Sequence, residues 1–244
     1  MATVLEEAVP RIQAPPAAAL GRCGVTVARD REQLTVPAWV VDLASFRRWM
    51  DSDDVPEKAR VWYLKGEVWI DMSGEQIFSH AALKNEISYV LTGLNKADRL
   101  GLFLPDGVLM SNIAADISGK PDATFLSNDS LDSNRVRLLE GKQGGYVELQ
   151  GFPDMVLEVV SNSSTRKDLV LLRQAYWEAG IREYWLVDAR REPLTFQILR
   201  RTAKGYAATR KQDGWLKSAV FGKAFRLSQQ QDVRGHPEFT LETR

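Results

Sequence analysis

The stretch FPDMVLEVVS, Phe152 to Ser161, restricts the fold of this chain more than any other. Met155, Val156, Leu157, Val159 and Val160 predict a strand, and a run this apolar predicts cover on both faces. Asp154 and Glu158 interrupt it. Side chains alternate along a strand, so Asp154, Val156, Glu158 and Val160 share one face. An ionised carboxylate there is costly unless a metal ion or another cation compensates it. A second strand-like run, KPDATFL from Lys120 to Leu126, supplies Asp122. Two acids on neighbouring buried strands, with Lys167 close behind, point to metal-assisted hydrolysis.

The surrounding pattern is that of an α/β domain. DLASFRRWM (Asp42 to Met50) predicts a short helix, and VWYLKGEVWID (Val61 to Asp71) predicts a β-hairpin turning at Lys65 to Glu67. Leu83, Ile87, Val90, Leu91 and Leu94 recur at helical spacing and predict a helix over Ile77 to Lys96. Strands are expected at Gly107 to Met110, Lys120 to Leu126, Gly145 to Gln150 and Asp154 to Val160, with a long polar loop from Leu126 to Gly144. SNSSTRKD (Ser161 to Asp168) has the chemistry of a helix start, with Thr165 and Asp168 spaced as a capping box. The helix it opens runs to about Ala179, with Gly180 as its cap. EYWLVDA (Glu183 to Ala189) is a further buried strand, and antiparallel hairpins follow it. The order predicts a mixed central sheet flanked by helices. The expected organisation is an N-terminal extension of poor order over residues 1–35, one domain over 36–230 and a C-terminal tail over 231–244.

Several chemistries are excluded. No G-x-x-x-x-G-K-[ST] or G-x-S-x-G motif occurs. One cysteine, Cys23, forbids an internal disulfide and fits a reducing compartment. Two histidines, His80 and His236, are too few for a structural zinc site, so oxygen ligands and magnesium or manganese are favoured. No apolar run approaches the roughly 20 residues of a membrane span, and the N-terminus lacks the pattern of a secretory signal, so the expected compartment is the cytoplasm. Formal net charge is zero, but from Ala189 to Leu227 ten basic residues face only Glu192 and Asp213. That segment is either a phosphate-binding footprint or a set of hairpins with solvated faces.

Asp122 and Glu158 are the candidate metal ligands. Asp154 shares the parity of Glu158 but follows Pro153 at the strand entrance, where capping a turn is the better assignment. Lys167 opens a helix seven residues after the strand's last valine, so its ammonium is placed to return over the carboxylates and stabilise developing charge. A solvated first-turn lysine is the ordinary alternative. Glu86 borders the apolar stripe of the long helix and could meet the edge of the site. His80 lies on the other border, about 120° away on the helical wheel, and is assigned to the helix start.

MSGEQIFSH, KPDATFLS, GFPDMVLEVVSNSS, RKDLVLLRQAYWEAGIREYWLVDAR and LTFQILR, in that order, resemble the Uma-type restriction endonuclease family of the PD-(D/E)xK nuclease superfamily. The resemblance covers roughly Ser45 to Leu227 and is most specific from Pro153 to Arg190. It implies a mixed sheet flanked by helices and hydrolysis of DNA phosphodiester bonds with Mg2+, or Mn2+ in its place. It implies Asp122 and Glu158 as the two metal-binding acids, Glu86 as an added helix carboxylate, and a homodimer as the superfamily's common assembly. The superfamily lysine normally stands two residues after the second acid, where this chain has Val160. A lysine one turn into the next helix is also common, where this chain has Leu172. Lys167 is the nearest replacement. A nuclease-fold module that binds DNA or a protein without cutting is the alternative these departures leave open.

Overall fold

A computed structural model describes residues 11–13, 25–29, 32–142 and 144–244. The expectation of an N-terminal extension of poor order falls largely outside the described residues. Within them, β1 (Arg11–Gln13) pairs with a later strand, and β2 (Val25–Arg29) pairs antiparallel with β3 (Glu32–Val36).

Helix α1 (Leu43–Met50) starts where Asp42 and Ser45 form a capping box, each side chain accepting the other's backbone N–H. β4 (Arg60–Leu64) and β5 (Glu67–Asp71) form the hairpin, with Lys65 and Gly66 at φ 49° and 88°, as a two-residue type I′ turn requires. A π-helical segment, Ile77–Ala82, leads into α2 (Leu83–Asp98), which buries Leu83, Ile87 and Leu91. Next come β6 (Gly101–Pro105), β7 (Leu109–Asn112), β8 (Ile117–Gly119) and β9 (Ala123–Ser127). The stretch expected to be a long loop instead holds α3 (Asn128–Asp132) and β10 (Val136–Glu140). Its apolar positions are too sparse to show a period, but Val136 is buried and Leu131 and Leu138 pack against the core. β11 (Tyr146–Gly151) and β12 (Met155–Val159) precede a second π-helical segment, Lys167–Leu171, and α4 (Leu172–Glu178). β13 (Glu183–Asp188), β14 (Thr195–Thr202), β15 (Gly205–Ala208), β16 (Leu216–Lys217), β17 (Ala224–Gln231) and β18 (Pro237–Thr243) complete the chain.

The fold is α/β, but the strands divide between two mixed sheets where one was expected. Seven strands run β1-β5-β4-β8-β7-β11-β10 and six run β15-β14-β13-β12-β9-β6. A third, antiparallel sheet is β16-β17-β18. The reading of 231–244 as a tail is therefore corrected. β18 pairs with β17 along its length, and Phe239 and Leu241 enter the core beneath α2. Among the described residues no helix is long and apolar enough to cross a membrane.

KPDATFL is not one strand. β8 ends at Gly119 in the seven-stranded sheet and β9 begins at Ala123 in the six-stranded one. Lys120, Pro121 and Asp122 are the crossing between them. Gly119 is required there: an added Cβ would lie 2.0 Å from Trp62 Cδ1. The crossing and the end of β12 border the same cleft.

Candidate active site

β12 is buried along its whole length, and pairing with β9 and β13 satisfies its backbone. Its pairing with β9 ends at Leu157↔Ala123. The next inward N–H, that of Val159, therefore finds no strand partner and donates to Asp122 Oδ2 at 2.7 Å. This bond ties the crossing to β12 and brings Asp122 beside Glu158. Both line a cleft of about 490 Å³ with Trp62, Asp71, Glu75, His80, Lys84, Lys120, Lys167 and Asp168.

Glu158 is 2% exposed and faces α4. Its Oε1 accepts from the Tyr176 hydroxyl at 2.6 Å, and its Oε2 is 3.7 Å from Lys167 Nζ. Lys167 is equally buried. Its ammonium contacts Asp168 Oδ1 at 2.5 Å and sits 3.8 Å from the centroid of the Trp62 ring. Asp168 Oδ2 accepts from Ser164 Oγ. Asp168 Oδ1 is buried and has no hydrogen bond of good geometry, although the ammonium is adjacent; the contact is electrostatic and poorly aligned.

Burial pushes the Glu158 carboxyl well above the usual range, and the neighbouring Asp168 and Asp122 charges add to this against the pull of Lys167. Burial raises Asp168 in the same way. Burial opposes the charge of Lys167, but Asp168 and Glu158 outweigh it and hold the ammonium protonated beyond its ordinary range. The cluster thus holds more acid than one buried lysine neutralises.

The serine-rich turn locks the second half of the cleft. Ser161 and Ser164 satisfy each other's backbone N–H groups, so the reciprocal pair is Ser161–Ser164, where the sequence suggested Thr165–Asp168. Ser163 Oγ donates to Asp71 at the end of β5 and so ties the turn to the other sheet. The π-helical segment Lys167–Leu171 then turns both Lys167 and Asp168 inward, while Leu169 is more than a third exposed. The other π-helical segment, Ile77–Ala82, carries His80 to the opposite wall. Such one-turn irregularities often accompany functional sites.

On that wall His80 Nε2 is 3.7 Å from Asp122 Oδ2 and Lys84 Nζ is 3.5 Å from Asp122 Oδ1. Glu75 holds both, at 2.9 Å from His80 Nδ1 and 2.7 Å from Lys84 Nζ. Burial opposes its ionisation, yet these two partners bring the Glu75 carboxyl down to about 2. His80 replaces Glu86 as the helix residue at the cleft. Glu86 points the other way and accepts from Leu241 N–H at 2.8 Å, because α2 packs that flank on β18. Sequence reasoning missed Lys84, Glu75 and Asp168. The S-S-x-x-K-D turn was the one signal for Asp168, and nothing local marked the other two. Asp154 accepts from Ser127 N–H and Ser130 Oγ and pairs with Arg182, which anchors α3 away from the cleft.

The donor chemistry of the cleft fits a hard divalent cation. It is rich in carboxylate oxygen, with the buried carboxyls of Glu158 and Asp168 sharing one buried lysine. Among the described residues no three His, Cys, Asp or Glu side chains stand in ready ligating geometry. Magnesium commonly takes one or two carboxylates and completes its shell with water and substrate phosphate.

No curated protein matches the chain. Among solved structures, the crystal structure of a putative nuclease belonging to DUF820 from Anabaena variabilis ATCC 29413 is similar in fold. The TM-score is 0.56 at 16% identity, over 75% of this chain and 91% of that chain. A family model described as "Putative restriction endonuclease" matches residues 43–230, a span that includes every residue lining the cleft. The chain belongs to this Uma2 family.

Proposed function

We propose that the protein is a metal-dependent endonuclease of the PD-(D/E)xK type that hydrolyses DNA phosphodiester bonds in the cytoplasm, with Mg2+ (or Mn2+) held by Asp122 and Glu158. One observation carries the reading. Glu158, Asp168 and Asp122 converge on a single cleft whose one fully buried cation is Lys167. A divalent cation would stabilise these acids in their ionised form. When bound, that ion supplies charge neutralisation at the phosphoryl group and a more acidic water.

The chain's own residues do the rest. Tyr176 fixes one oxygen of Glu158 and leaves the other toward Lys167. Lys167, the replacement for the lysine missing at Val160, orients the attacking water beside Glu158 and offsets charge in the transition state. Val159 N–H fixes one oxygen of Asp122. Lys84 stands at the other Asp122 oxygen and His80 beside the one that Val159 N–H holds, where a phosphate would enter. Glu86 is no longer a candidate participant, since its carboxylate is committed to β18.

A second reading is a nuclease fold that binds without cutting. The deep seating of Lys167 on Asp168 and Trp62 favours it, because an ammonium held this firmly has few donors left for water. Plasmid cleavage with Mg2+ separates the two. The expected result is nicking by the full chain and none by Asp122→Asn or Glu158→Gln. Equal cleavage by those variants would refute the site assignment, and duplex binding with no cleavage by the wild type would favour the second reading.

A further inference from the structure

A second groove, of about 540 Å³, lies between β14 and β15 at one edge of the six-stranded sheet and β16 and β17 of the small sheet. Arg200, Arg201, Arg210, Lys217 and Arg244 line it, and no acidic residue does. Among the described residues none of these five pairs with a carboxylate. Elsewhere in the basic segment Arg190 pairs with Asp188, Lys223 lies near Asp98 and Arg226 pairs with Glu242, while Arg191, Lys204 and Lys211 lie outside the groove. Five cations without a carboxylate partner thus share one groove.

The groove is also built. Trp215 lines it, and the guanidinium groups of Arg244 and Arg226 stand 4.3 and 4.8 Å from its ring centroid, so the indole orders both. Arg201 is held by the Trp177 carbonyl at 2.9 Å. The Thr209 hydroxyl in the lining is buried with no hydrogen-bond partner.

The groove is separate from the cleft. Glu158 pairs across with Leu186 and Gln197, three residues along β14 from Arg200. With three strand spacings across to β15, the separation is about 17 Å. Arg200 also shares its face with Ile198, whereas Glu158 lies with Val156 and Val160 on the opposite face.

We propose that this groove is a nucleic-acid exosite, which holds the phosphate backbone of a DNA segment outside the cleft through sequence-independent contacts. The partner assignment rests on the nuclease reading, but the site itself does not. Guanidinium and ammonium groups without carboxylate partners match phosphate oxygens. The indole is already covered by arginines, so phosphate contact is expected in preference to base stacking.

The test compares the full chain with Arg200→Ala/Arg210→Ala/Lys217→Ala. All three side chains are exposed, so melting should match the wild type. Binding of a labelled duplex is followed by fluorescence anisotropy over a salt series. If each side chain neutralises one phosphate, the log–log salt slope becomes shallower by about 2.7 and affinity at 0.1 M salt falls up to about 500-fold. Unchanged slope and affinity would overturn the exosite, whatever the cleavage assay gives. Lost binding in the groove variant, with a wild type that never cuts, would uphold the exosite and refute the nuclease reading. Displacement of the duplex by polyglutamate at equal charge would overturn the nucleic-acid assignment. If the triple variant melts early, Lys217→Glu alone decides, with a shallower slope expected and an unchanged one refuting.

Discussion

Replacing Lys167 by methionine tests the electrostatics of the cleft directly. The ammonium lies 2.5 Å from Asp168, 3.7 Å from Glu158 and 3.8 Å from the Trp62 centroid, and it is 2% exposed. Methionine keeps most of the volume and can still contact the indole. What it removes is the one buried positive charge among three acids. Removing one partner of a buried pair costs about 3–5 kcal/mol, and lost cation–π contact adds up to about 2. The buried carboxylates limit the loss by taking up protons. Their folded-state pKa is already raised by burial and would rise further without the lysine. A folded-state acid with raised pKa binds more protons than the unfolded chain, so stability increases as pH falls toward the unfolded value of about 4. Urea denaturation should therefore show a loss of about 3–5 kcal/mol at pH 8 that shrinks at pH 5. A loss under about 1 kcal/mol, or one that does not vary with pH, would refute the reading that Lys167 compensates buried charge.

Other perturbations follow from the same contacts. Tyr176→Phe leaves Glu158 Oε1 without its donor and should cost about 1.5–3 kcal/mol in urea unfolding. Glu183 accepts from Ser218 Oγ, Ala219 N–H, Val220 N–H and Trp185 Nε1–H, so Glu183→Ala should loosen the β16–β18 module, measured as early hydrogen exchange in β17. Asp154 is held below the usual carboxylate range: burial opposes this, but Ser130, Ser127 and Arg182 prevail. Its stabilisation is present above about pH 4 and lost as pH falls through the depressed folded value. Asp154→Asn should therefore flatten the acid limb of a stability–pH profile, and an unaltered limb would show the contact to be idle. Glu86→Gln keeps an acceptor for Leu241 N–H and should leave plasmid cleavage as in the wild type.

The strongest local patterns translated directly into structure. The apolar run of β12, the hairpin at Lys65 and Gly66 and the stripe of α2 are each set by a short-range period or a turn conformation. Residues within one element carry that information themselves. The pairing of Asp122 with Glu158 was visible as two acids in apolar surroundings. Its actual form, a carboxylate at a sheet crossing capping Val159 N–H, was not.

What tertiary structure alone decided concerns which flank of an element faces what. Glu86 and His80 both border the stripe of α2, and nothing within the helix says that β18 takes one and the cleft the other. β18 itself looked like a tail, because the helix it packs beneath, α2, is distant in sequence, although its partner strand β17 is adjacent. The division into two sheets follows from pairing registers across long separations, and it is this division that makes the cleft. The cluster of Glu158, Lys167 and Asp168 is likewise a product of burial. The sequence named two of its members, but only packing against Trp62 and Tyr176 removes water from them and so couples their charges.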